Sequence, residues 1–183
     1  VLESSCVSGL PSNVSDAKKL VYRLVDSEWF PEKELGADCF GTVFQTFDPE
    51  VVVKFTGDWQ ELDLVKRFRR MRKNPPPGIV EIYKYKVLLP YKPLVVIWKE
   101  YAKMPRVPAK LSDLMEEYCN GMPISSTNGM SKYKQYRPLA KTLRYFWDRG
   151  IHFTDLRAGN VGLVKRRGNW VWSVVDFGAW EPV

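Results

Sequence analysis

The stretch that most constrains this chain is Gly150 to Gly178, GIHFTDLRAGNVGLVKRRGNWVWSVVDFG. It carries two aspartates in surroundings apolar enough to suggest burial, Asp155 and Asp176, with Asn160 five residues after the first. The residues between read as strand, turn and strand. A hairpin of that kind would bring the three side chains to its mouth, where they could supply one base and two hard oxygen ligands for Mg²⁺, the set that phosphoryl transfer needs. Loop capping and Asx turns are the plainer use of the same residue types.

At 183 residues, 45% hydrophobic and 27% charged, the chain suffices for one ordinary core or for two small lobes sharing a cleft. No apolar run approaches the roughly eighteen residues of a membrane span, and the opening Val-Leu-Glu-Ser-Ser-Cys has no basic-then-apolar secretion pattern. No membrane partner is expected. Cys6, Cys39 and Cys119 are odd in number and widely spaced, which argues against a disulfide framework and points to a reducing cytoplasm. The net charge of +7 favours acidic partners, among which nucleotides, nucleic acids and acidic proteins are not distinguished.

Upstream, Ser12 or Ser15 can cap a helix whose Ala17, Leu20, Val21 and Leu24 share one face. Three strands then follow: Lys33 to Leu35, Thr42 to Phe47 and, after the Asp48-Pro49-Glu50 turn, Val51 to Phe55. The last is an apolar run carrying Lys54, whose ammonium must find an anion or reach solvent, because burying it alone is costly. Asp58 opens a helix through Arg72. Glu61, three residues on, fits a capping box, yet Leu64, Val65 and Phe68 at i+3, i+4 and i+7 turn it toward the buried face, where Lys54 is the nearest candidate cation. Lys66, Arg67, Arg69, Arg70, Arg72 and Lys73 read as a solvated basic face; nucleic-acid binding is the weaker alternative.

Val80 to Leu89 reads as a strand with Tyr83, Tyr85, Val87 and Leu89 on one side, and Leu94 to Trp98, after the Pro90 to Pro93 turn, as a buried strand. Leu111 to Cys119 is expected as a helix capped by Ser112, and Asn120 to Ser131 as a mobile loop. Tyr136, Leu139, Ala140, Leu143, Phe146 and Trp147 then line one face of a helix ended by Gly150.

The order of these features resembles the protein-kinase superfamily. Asp155-Leu156-Arg157-Ala158-Gly159-Asn160 resembles its catalytic loop, and Asp176-Phe177-Gly178 is identical to its metal-binding triplet. Leu35-Gly36-Ala37-Asp38-Cys39-Phe40-Gly41-Thr42-Val43 resembles its glycine-rich loop, keeping Gly36, Phe40, Gly41 and Val43, with Asp38 replacing the middle glycine; a carboxylate there would repel phosphate. The resemblance implies an α+β, two-lobe fold: an N-terminal helical extension over 1–30, an antiparallel-sheet lobe with one main helix over 31–102, and a much reduced helical lobe over 103–183. It implies ATP and Mg²⁺ as cofactors, with Asp155 as base or orienter, Lys54 oriented by Glu61 on the nucleotide phosphates, and Arg157 on the transferred phosphate. Asn160 and Asp176 would be the metal ligands, and backbone groups of Glu100 and Ala102 would meet the adenine edge.

Phe153 and Thr154 stand where kinases carry His and Arg, so His152 is read as structural, and no phosphorylated activation loop is expected in the five residues after Gly178. The arrangement looks most like short kinase-like proteins encoded by bacteriophages, which would act in a host cytoplasm. The expected function is a minimal ATP/Mg²⁺-dependent phosphotransferase acting on protein Ser/Thr. A pseudokinase that binds or inhibits a partner and a small-molecule phosphotransferase are the alternatives.

Overall fold

The apolar runs at Val51 and Val95 set the centre of the larger sheet. The computed structural model describes residues 9–38, 40–70, 76–88 and 94–183, and among them the protein is α+β, with a five-stranded antiparallel sheet and five α-helices. The strands β1 (Pro31–Ala37), β2 (Gly41–Thr46), β3 (Val51–Thr56), β4 (Ile82–Val87) and β5 (Val95–Glu100) pair in the order β1-β2-β3-β5-β4. All of β3 is buried, as is β5 up to Lys99, which is why VVVKFT and VVIWKE read as continuous apolar runs rather than alternating ones. The edge strand β1, PEKELGA, is exposed beyond Pro31, and its charges guard the open edge.

One sheet face is covered by α1 (Val14–Val21), whose fully buried Ala17 and Val21 join Phe44, Val53, Phe55, Val96 and Trp98 in a single apolar cluster. Each valine or phenylalanine side chain buried in this way contributes about 1.5–3 kcal/mol. The cap is Asn13, not Ser12 or Ser15: its side chain accepts the Asp16 N–H at 2.9 Å. On β4 the expected tyrosine side is only half-buried and Ile82 is the one fully buried residue, because a bulge between Ile82 and Lys84 breaks the alternation. Lys84 bonds the Leu24 carbonyl and lies 5.6 Å over the Trp98 ring. Leu89, the Pro90 to Pro93 turn, Arg72, Lys73, Cys6 and Cys39 lie outside the described residues.

The described residues group into two compact units. One takes in the chain up to Val65 together with Glu81–Tyr101; the other takes in Lys66–Val80 and Ala102–Val183. The division places 66–80 apart from the rest of the expected 31–102 segment and groups α1 with the sheet. It falls inside α2 (Trp59–Arg70), where the Asp58 carboxylate accepts the Gln60 N–H at 2.8 Å.

The second unit is built on α3 (Ala109–Cys119), α4 (Pro123–Ser131), α5 (Arg137–Trp147) and two strand pairs. β7 (Val161–Arg166) and β8 (Asn169–Val174) form the expected hairpin, closed by Arg167 and Gly168 with φ of 49° and 82°, the pair of positive values that a tight two-residue hairpin turn requires. β6 (Ile151–Phe153) pairs with β9 (Trp180–Pro182). Two expectations are corrected here. The segment expected as a loop at 120–131 contains α4, which starts on Pro123 and buries Ser126, Thr127 and Met130. Thr127 and Ser131 return their hydroxyls to carbonyls four residues back, at 2.7 and 2.8 Å, so residues that favour loops are satisfied within the helix. Ser112 does not cap α3, which begins at Ala109 after Pro108.

On α5 the buried set is Leu139, Ala140, Thr142, Leu143 and Phe146, preceded by buried Tyr136. Trp147 is only half-buried and meets the His152 ring edge-on. Gly150, at φ 74°, ends the helix as expected.

Candidate functional site

In the sheet unit the register gathers the expected phosphate-binding residues. Gly36 pairs with Val43, Val43 with Lys54 and Lys54 with Ile97, so the four form one row across β1, β2, β3 and β5. Directly opposed residues share a face, which sets the Val43 and Lys54 side chains side by side. Lys54 Nζ lies 2.9 Å from Glu61 Oε2, with side-chain exposures of 6% and 1%. The Glu61 carboxylate is turned inward onto the lysine. Gly41 sits against the same lysine: a Cβ there would lie 2.9 Å from Lys54 Cε and 2.9 Å from the Phe55 carbonyl, so only glycine fits.

The glycine-loop replacement has a definite geometry. Asp38 Oδ1 accepts the backbone N–H groups of Phe40 and Gly41, both at 2.7 Å, and the Asp38 N–H donates to the Gly41 carbonyl at 2.8 Å. The Phe40 ring is exposed. At the end of β5 the Glu100 N–H donates to the Glu81 carbonyl at 2.8 Å, so this group of the expected adenine contact is committed to the sheet. Ala102, which is buried, belongs to the second unit.

In the second unit the loop between β6 and β7 holds the expected base. Asn160 donates through Nδ2 to the Asp155 carbonyl at 2.7 Å and to Asp155 Oδ2 at 3.0 Å, and its own carbonyl accepts the Val175 N–H at 2.9 Å. That last bond extends the hairpin by one pair beyond Val161 and Val174, so Asp176 follows immediately on the residue bonded to Asn160. Asp155, Asn160 and Asp176 are thus brought to the mouth of one hairpin. The carboxylates are not buried, however: the Asp155 side chain is 38% exposed and Asp176 is intermediate, because both lie beyond the last residue pair at the open end of the hairpin.

Arg157 Nε lies 3.0 Å from Asp155 Oδ2, with the arginine side chain 69% exposed, a surface pair that opens at little cost. Asp155 Oδ2 therefore carries both donors. Asp176 Oδ1 accepts the Gly178 N–H at 3.2 Å, and Phe177 is fully buried and stacks on Phe68 with centroids 6.3 Å apart. The metal-ligand expectation is compatible with the donor types, a side-chain amide oxygen on Asn160 and a carboxylate on Asp176. No group of three or more His, Cys, Asp or Glu side chains able to hold a metal occurs among the described residues. Mg²⁺ bound largely through water and phosphate oxygens needs only one or two protein ligands, so the set fits that ion and not a closed protein cage.

The loop is anchored by residues that carried no expected role. The Thr154 N–H and hydroxyl both donate to the Ala179 carbonyl, at 2.9 and 3.0 Å, and the Leu156 N–H donates to Cys119 Sγ at 3.3 Å. Burial raises the Cys119 thiol above its ordinary range against the opposing Leu156 N–H. His152 is structural, as expected: buried, with Nε2 3.0 Å from the Tyr118 carbonyl and Nδ1 3.3 Å from Glu181. Of the basic stretch, Arg67 lies 5.2 Å from the Trp180 ring while Phe68 points inward. No helix among the described residues is long and apolar enough to cross a membrane. Compared with known proteins, the chain matches no family model and no curated protein sequence.

Proposed function

We propose that the protein is a minimal, kinase-like phosphotransferase that uses ATP and Mg²⁺ and transfers phosphate to protein Ser or Thr hydroxyls. The observation that carries this reading is the buried Lys54–Glu61 pair at 2.9 Å. A buried ion pair is a poor source of stability, since desolvation offsets most of its Coulomb gain, and a lysine held on a strand by a helix glutamate is the arrangement that orients an ammonium toward nucleotide phosphates. Asp155 and Asn160 supply the second support. With Asn160 donating to Oδ2, the Asp155 carboxylate is fixed in orientation to take the proton from an attacking hydroxyl. Asn160 and Asp176 would hold Mg²⁺, which supplies charge neutralisation on the phosphates, and Arg157 would leave Asp155 to meet the transferred group. A positioned base of this kind contributes about 10²–10⁴-fold.

One observation favours the pseudokinase alternative: the glycine-loop amides of Phe40 and Gly41 are bonded to Asp38. Transfer of label from γ-labelled ATP to a mixed Ser/Thr protein substrate separates the two readings. The enzyme reading expects Mg²⁺-dependent incorporation that falls at least ~10²-fold in Asp155→Asn and in Asp176→Asn. Incorporation equal in wild type and both variants, or absent from wild type that binds nucleotide, would favour the binding protein.

A further inference from the structure

The glycine loop carries its own anion. The two N–H groups bonded by Asp38 Oδ1 are donors of the kind that a glycine-rich loop offers to phosphate. They lie beside Lys54, whose Cε a Cβ on Gly41 would touch, and Lys54 already holds Glu61. Donors suited to a phosphate are therefore held by carboxylates of the chain itself. The two carboxylates are not equivalent. Glu61 is buried and fixed by the fold, whereas Asp38 lies on an exposed turn, where water and ligands can exchange its hydrogen bonds.

We infer that Asp38 determines the affinity and form of the nucleotide taken: its carboxylate competes with phosphate for the Phe40 and Gly41 amides and selects metal-bound over metal-free nucleotide. The inference rests on the nucleotide-binding reading above. The selectivity follows from charge. A metal-free triphosphate brings its full negative charge toward the Asp38 carboxylate, whereas Mg²⁺ cancels part of that charge and so weakens the repulsion. Lys54 attracts both forms and favours the more highly charged one; Asp38 opposes that preference. Replacement of a loop glycine by aspartate thus converts a general phosphate seat into one that admits the neutralised complex.

The test measures ATP binding by titration calorimetry for wild type, Asp38→Asn and Asp38→Gly, each with Mg²⁺ and with chelator. Asparagine keeps an Oδ1 acceptor for the two amides and removes the charge; glycine removes both. Affinity for MgATP is expected to rise about tenfold in Asp38→Gly, the effect of one charge-assisted hydrogen bond, and less in Asp38→Asn. The preference for MgATP over free ATP is expected to shrink in both. Binding by Asp38→Gly with none by wild type supports the inference most strongly. Unchanged affinity and metal preference in Asp38→Asn, with weaker binding in Asp38→Gly, would show that Asp38 only shapes the turn; it would overturn the inference and leave the nucleotide reading intact. Absence of binding in all three proteins overturns both.

Discussion

Lys54 and Glu61 depend on each other in a place nearly closed to water. Removing one partner deprives the other of a 2.9 Å buried ion pair, so Lys54→Met and Glu61→Ala are each expected to lose about 3–5 kcal/mol of stability in urea denaturation, while Lys54→Met/Glu61→Leu recovers most of it. Single variants as stable as the parent would refute the buried pair. A second prediction concerns the thiol. Because burial raises the Cys119 value above its ordinary 9.0, the folded state keeps this contribution below pH 9.0 and loses it as pH rises through the higher folded value. Unfolding free energy should therefore fall less steeply above pH 9.0 in Cys119→Ala than in wild type; parallel curves would contradict the assignment. At this scale the sequence was informative wherever a residue type was out of place: a lysine in VVVKFT demanded an anion, and the face of Glu61 supplied one. Asp38 was legible only as a repulsive group, since its bonds to the N–H groups two and three residues on depend on a turn geometry that residue types alone do not specify.

Elements were legible where burial followed a period. β3, β5 and α5 declared themselves through apolar runs or spacing, whereas α4, PISSTNGMS, has little apolar periodicity and owes its place to hydroxyl–carbonyl bonds and to packing of Gly129 against Leu114. Thr142 was missed for a similar reason: it sits on the buried face of α5 because its Oγ1 accepts the Gly78 N–H at 2.8 Å, from 64 residues away in the chain. Gly78 is held in turn by the N–H of Val174, which donates to its carbonyl at 2.9 Å. A Cβ at Gly78 would lie 2.5 Å from the Pro138 carbonyl oxygen and 2.6 Å from Leu139 Cα, backbone atoms that cannot step aside. Gly78→Ala is expected to cost about 1–3 kcal/mol through overpacking. Thr142→Val, which leaves a buried N–H without its acceptor, should cost a similar ~1–3 kcal/mol. Thermal unfolding of the two variants and their combination checks both, and since they disrupt one contact the double variant should lose less than the sum. Additive losses would mean that the two residues act separately.

For the whole molecule, the order of motifs along the chain made a two-part donor set legible, and each unit contains its share in bonded form: Lys54 on Glu61 in one, Asp155 and Asn160 at the hairpin mouth in the other. What order could not convey was exposure. The two aspartates read as buried because apolar residues flank them, but strand ends place flanking side chains inward and leave the loop carboxylates half in solvent. The proposed function assigns nucleotide and metal binding to the residues of this set. Calorimetric titration of MgATP into wild type, Asp176→Asn and Lys54→Met/Glu61→Leu tests that assignment most directly. The account predicts saturable binding by wild type and a loss of at least tenfold, about 1.4 kcal/mol, in each variant, with Mg²⁺ dependence abolished only in Asp176→Asn. Wild-type affinity retained by either variant would contradict it.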